Sequence, residues 1–232
     1  MACSRDAQQA SSRNIRARCS VVDWGVFGDR CLGFYFRCFV PGARGRPVEA
    51  PFGSEFDAAS DRFLERLRHM LRGRPDLLDK LGCLEFELEV QLHCGRGFYD
   101  EEDHTYFYGR VDPAGEHIVL QIATDEVLGG TREGNEALDV VIHELTHVLD
   151  LLEEPPGMLP FWDEASAVRF IELRDVEIVE IEQGRSRLDP YALNNEVEFL
   201  AVAVETYFAA EASFRTDCPE IAGLFDNYFG LA

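Results

Sequence analysis

Positive charge is scarce in this chain of 232 residues. Lys and Arg number 22 against 43 Asp and Glu, a formal net charge of −21. Such a surface repels phosphate backbones and anionic bilayers, so nucleic acid and membrane surfaces are excluded as expected partners. The early arginines, Arg13, Arg16 and Arg18 and then Arg44 and Arg46, are too few and too scattered for a basic stripe. Paired cysteines are lacking as well. The count is seven, an odd number, and no two are spaced Cys-x-x-Cys. That argues against a disulfide framework and a cysteine zinc site, and for reduced thiols. No apolar run approaches the ~20 residues that span a bilayer. Met1–Ala10 has no charged-then-apolar export pattern. The expected localisation is therefore cytoplasmic. Histidine is sparse too: there are six, and none follows His147.

What is present suits one sizeable core, with 46% hydrophobic and 28% charged residues. Residues 1–18 are polar and read as a flexible tail, and 19–232 as a single domain. Two apolar runs, Val21–Phe27 and Cys31–Val40, flank Gly28-Asp29-Arg30 and predict a hairpin. Phe63, Leu67, Met70 and Leu71 recur at helical spacing within Asp57–Arg72. Leu84–Leu92 alternates apolar and polar residues, the mark of a strand with one buried face. A second hairpin is expected from Thr105–Val111 and His117–Ile122, turning at Asp112-Pro113-Ala114-Gly115. Helices are expected over about Asn135–Leu152, Trp162–Gln183, Asn195–Ala212 and Pro219–Phe229. Strands first and helices later means an α+β fold.

The chemistry is concentrated in His143-Glu144-Leu145-Thr146-His147. On a helix, residues four apart share a face, about 6 Å apart at Cβ, so both imidazoles can meet one metal ion. Glu144 then reaches a water at that metal and can act as its general base. Zinc suits two neutral imidazoles plus a carboxylate, with one position left open. Asp150, on the same face, can either orient a ligand imidazole or sit solvated at the helix end. With no histidine after His147, the third ligand is expected to be a carboxylate from a later helix. Glu196, Glu198 and Glu205 compete for that place. Glu198 and Glu205 share a helical face, and Asn195 with Glu198 also fits a capping box. The aromatic-acidic run Phe98–Tyr106 is adequately explained as a solvated loop before a strand rather than as a second metal site.

Two blocks, His143–Asp150 and Leu188–Val202, resemble the Mlc titration factor A family of bacterial zinc peptidases. The first matches its His-Glu-x-x-His-x-Leu-Asp helix. The second matches Leu-Asp-Pro-Tyr-Ala-x-x-Asn-x-x-Glu-Phe-Phe-Ala-Val, with Leu200 in place of the second Phe. The resemblance covers about residues 80–230, and the paired motifs also resemble the catalytic domain of anthrax lethal factor. It implies a zincin-like core; the β-rich N-terminal part and the mainly helical C-terminal half are read from the strand and helix patterns above. It implies one Zn2+ per chain on His143, His147 and Glu198, with Glu144 as general base and Tyr191 as oxyanion donor. It implies a zinc-dependent, aminopeptidase-like hydrolase acting on peptides or proteins. A selective endopeptidase is an alternative, and so is a regulatory protein that sequesters a transcriptional repressor, as members of that family do. Strand His117–Ile122 is expected to pair with an extended substrate. Residues 19–80 depart from the family pattern, and Thr146 stands where a small apolar residue is common.

Overall fold

A computed structural model describes residues 20–23, 33–41, 47–50, 53–77, 87–100, 104–114, 117–129, 139–152, 156–160 and 162–231. The expected tail, residues 1–18, lies outside them, as do the first hairpin's turn and Leu84–Phe86. The chain begins with β1 (Ser20–Asp23), β2 (Gly33–Pro41) and β3 (Pro47–Ala50), followed by α1 (Ser54–Met70). Strand β1 pairs antiparallel with the first half of β2 and β3 with its second half, so the first hairpin is present. Then come β4 (Glu87–His93), β5 (Phe98–Asp100), β6 (Thr105–Phe107), β7 (Gly109–Ala114) and β8 (His117–Ala123). The helices are α2 (Thr124–Gly129), α3 (Val140–Asp150), α4 (Glu164–Glu182), α5 (Glu196–Ala209), α6 (Glu211–Asp217) and α7 (Pro219–Phe229). A 3-10 turn, Pro190–Leu193, precedes α5. This is the α+β, zincin-like arrangement, a sheet first and mostly helices after it.

The main sheet runs β1-β2-β4-β8-β7, with β3 also on β2. Strands β2, β4 and β8 are parallel, and β7 closes one edge antiparallel to β8. Alternation explains which face is buried: Leu88, Val90 and Leu92 on β4 and Ile118, Leu120 and Ile122 on β8 all point into the core. Helix α1 lays Phe56, Ala59, Phe63, Leu64, Leu67 and Met70 on that core. Apart from the adjacent pair Phe63 and Leu64, these residues recur every three or four positions, one helical stripe.

The second hairpin departs from expectation. Asp112, Pro113 and Ala114 belong to β7 and pair with Val119, Ile118 and His117 of β8. A proline is tolerated there because β7 is an edge strand, where a missing N–H need not break a ladder. Thr105–Phe107 is a separate strand that folds back on β5. The aromatic-acidic run is thus a small hairpin rather than a loop. The third expected helix is two, α5 and α6, divided at Ala210.

The helical half is held by aromatics. Phe170 of α4, with no exposed surface, contacts Trp162, Phe199 and Phe225 at centroid distances of 5.0, 6.0 and 6.0 Å. Phe170→Ala is expected to lower unfolding free energy by about 3–5 kcal/mol through lost burial and a residual cavity. Urea unfolding measures it, and a loss below about 1 kcal/mol would contradict this packing role.

Candidate metal centre

Helix α3 carries both histidines. Asp139 caps it, its side chain accepting the Ile142 N–H; residues 135–138 of the expected helix lie outside the described residues. Thr146 is fully buried and its hydroxyl donates to the Ile142 carbonyl at 2.8 Å. That back-bond satisfies a polar group where an apolar one is more usual. Helix α5 begins at a second cap: Asn195 accepts the Glu198 N–H at 2.9 Å. The cap uses the Glu198 backbone, and its carboxylate turns to α3.

Three ligand-type atoms converge there. His143 Nε2 lies 3.1 Å from His147 Nε2 and 3.2 Å from Glu198 Oε2, and His147 Nε2 lies 3.5 Å from that oxygen. Ligand atoms around a tetrahedral zinc, at bond lengths of 2.0–2.1 Å, stand about 3.4 Å apart. The residues present therefore fit such an ion. Among the described residues, His143, His147 and Glu198 are the one group of three or more able to hold a metal. Burial disfavours charge on His143, but its hydrogen bonds to Glu198 and Glu205 outweigh this and push it up to about 10. Burial also acts on Glu198, yet hydrogen bonds from both imidazoles bring it down to about 2.

The competing glutamates separate cleanly. Glu205, 2% exposed, meets His143 Nδ1 at 3.1 Å and accepts a short bond from the Asp139 N–H. An ionised Glu205 can only accept, so Nδ1 carries a proton and Nε2 is directed at the cluster. Glu196 is exposed and packs against Gly157, whose φ of +83° suits glycine. Asp150 does neither thing expected of it: it is buried and accepts the Gly157 and Met158 N–H groups at 2.6 and 2.9 Å. It ties down the chain after α3, and the carboxylate behind the His143 imidazole is Glu205.

Glu144 is buried, 6% exposed, and burial pushes it up to about 7. Its carboxylate presses on Gly109 at the start of β7, where any Cβ would collide with it. Gly109 carries no local sequence signal, since only a long-range contact demands it. The Tyr191 hydroxyl donates to Glu198 Oε1 at 3.4 Å, and its ring centroid lies 6.1 Å from that of His143. Asp189 fixes the turn that presents it by accepting the Tyr191 N–H. A cleft of about 390 Å³ opens beside these groups, walled by Tyr106, Phe107, Tyr108, Val140, Val202 and Tyr191, with Glu205 at its base.

An edge strand beside a helix with paired histidines, a glutamate from a following helix and a buried carboxylate between them define the metallopeptidase class. A family model, glucose-regulated metallo-peptidase M90, matches residues 91–230. That is more than half of the chain, and the chain belongs to this family; it is a zinc-dependent peptidase at that level. A comparison with curated proteins finds no match.

Zinc uptake at His143 must displace the proton that the two glutamates hold on the ring. The metal-free ring binds that proton below about 10, so around neutrality the metal-free chain holds more protons than the loaded one. Rising pH therefore favours loading. Apparent zinc affinity should rise at least tenfold per pH unit between roughly pH 6 and 8, most steeply at the lower end, where Glu144, pushed up to about 7, also sheds a proton. Competition with a chromophoric chelator measures it, and a flat profile would refute the proton displacement.

Proposed function

We propose that this chain is a gluzincin-type peptidase, with one zinc on His143, His147 and Glu198, that cuts beside a bulky apolar side chain. The observation that carries the reading is the convergence of those three side chains with a buried Glu144 held against the edge strand. Zinc there would supply a Lewis acid for the scissile carbonyl and a more acidic water. Glu144 takes a proton from the attacking water and returns it to the leaving amine. Tyr191, half-exposed on the cleft wall, donates its hydroxyl to the developing oxyanion. Gly109 gives the Glu144 carboxylate the room to sit between the strand and the imidazoles.

Substrate pairing belongs to β7 rather than to β8. Strand β8 is engaged on both edges, by β4 and by β7, so it has no edge for a peptide. The Ala123 N–H donates to the Tyr108 carbonyl at 2.9 Å. By antiparallel alternation, Arg110 and Asp112 then bond toward β8, and Gly109, Val111 and Pro113 turn their backbone groups outward. An extended peptide laid on that edge runs past Glu144, with the apolar cleft below for a side chain. The cleft volume falls within the roughly 300–1,000 Å³ of small-ligand sites. Aminopeptidase-like cleavage is what the family resemblance implies, and Asp189 on the cleft wall suits a free amine.

A peptide library with free and acetylated N-termini, read by mass spectrometry, tests this. The zinc-loaded wild type is expected to cut next to Leu, Phe, Tyr or Met. Glu144→Gln should lower turnover roughly 10²–10⁴-fold while keeping its zinc. Tyr191→Phe should lower kcat by roughly 10²–10³ with KM nearly unchanged. Preference for free N-termini marks an aminopeptidase and indifference an endopeptidase. A zinc-loaded wild type that cuts nothing would refute the general peptidase and turn attention to sequestration of a protein partner.

A further inference from the structure

The polar contacts behind His143 do not stop at the helix cap. Asp139 is 4% exposed and uses both carboxylate oxygens: Oδ1 accepts the Ile142 N–H, and Oδ2 meets Arg66 Nε at 2.7 Å. The Asp139 N–H in turn donates to Glu205, which faces His143 Nδ1 at 3.1 Å. The line therefore runs from the α1 guanidinium to the Nε2 that faces His147 and Glu198. Its inner members, Asp139 and Glu205, are buried, and the Arg66 side chain keeps 24% of its exposure, so it brings a solvated end on α1. The neighbouring Arg62 is engaged with Glu65 at 2.6 Å on the exposed face of α1. Arg66 lies upstream of the family match, which begins at residue 91.

We infer that Arg66 is a positioning residue for the metal centre, acting through Asp139 and Glu205 on the His143 ring. The reason is geometric. A buried aspartate needs a cationic partner to stay ionised and in one rotamer. The guanidinium supplies that partner from a rigid helix, by a directed Nε–H. Asp139 so held fixes both the first turn of α3 and its own N–H, which is one of the two donors that Glu205 accepts. Loosen Asp139, and Glu205 loses a donor and turns away from Nδ1. Helix α1, outside the matched family segment, thereby becomes part of the scaffold of the site.

This inference rests on the reading of His143 as a zinc ligand, and not on any peptidase activity. Its test is zinc affinity by chelator competition, for wild type, Arg66→Met, Glu205→Gln and the double variant. Methionine keeps the apolar stem and removes the guanidinium. Arg66→Met, acting two contacts behind the ring, is expected to weaken zinc about three- to tenfold, below the roughly 10–100-fold of a direct partner of a ligand. In the Glu205→Gln background the same change should have little further effect, because the path is already broken. Phe63→Leu, a packing change on α1, should lower the melting temperature of the metal-free protein and leave zinc affinity unchanged. Where Arg66→Met does not fold, Asp139→Asn takes its place with the same expectation. An affinity within about twofold of wild type, or an equal loss in both backgrounds, would overturn the inference. Failure of the site reading itself looks different: the wild type would then bind no zinc.

Discussion

The Glu205 carboxylate, closed between α3 and α5, accepts the Asp139 N–H at one oxygen and faces His143 Nδ1 with the other. Burying a carboxylate is costly unless its lone pairs are used, and burial does push Glu205 upward. Its partners come from two places on α3, the cap and the first histidine. A carboxylate that satisfies both fixes the rotation and the rise of one helix against the other. The ligand geometry depends on that, because His143 and His147 come from α3 and Glu198 from α5. A shift of one helix by an ångström would separate Glu198 Oε2 from two ring nitrogens now 3.2 and 3.5 Å away.

Charge explains why the cluster calls for a cation. Glu144, Glu198 and Glu205 gather around two imidazoles, within a chain whose net charge is already −21. Without a metal, the balance is kept by proton uptake: His143 is held protonated up to about 10 and Glu144 up to about 7. A divalent ion held by His143, His147 and Glu198 would do the same work with a better fit, since one centre would answer all three groups. It would also lower Glu144 toward the ionised form that a base requires. Metal loading and proton loss are thus one equilibrium, and the same arrangement serves both.

The parts of the site legible in the sequence are those whose information is local. His143, Glu144 and His147 share a helix face by spacing alone, and the capping pattern at Asn195 marks where α5 starts. Three glutamates on one helix were not separable by spacing, because what sorts Glu198 from Glu205 is the packing of α5 on α3. Asp150 shows the same limit: its position on the histidine face fits either a role behind one of the imidazoles or a solvated helix end, but its partners are N–H groups of the next loop. The strand alternation of β4 and β8 was readable. The sheet order was not, since β2 and β4 are parallel and joined across α1. Gly109 and Arg66 were invisible for one reason: each matters only through a residue distant in sequence, Glu144 or Asp139.

Strand β7 carries two demands that ordinarily conflict. An edge that accepts a peptide must expose N–H and C=O groups, and such an edge invites pairing with other chains. Among the outward-facing positions, Gly109 and Val111 keep their N–H groups, and Pro113 has none. The edge is therefore receptive beside Glu144 and closed a few residues on. Gly109 meets a further need, because the position that must pair with a peptide must also leave room for the Glu144 carboxylate. A side chain there would satisfy the pairing and lose the base. On the proposed reading, the short receptive stretch and the proline stop would together confine strand addition to the segment beside His143, His147 and Glu198, where a bond would be cut.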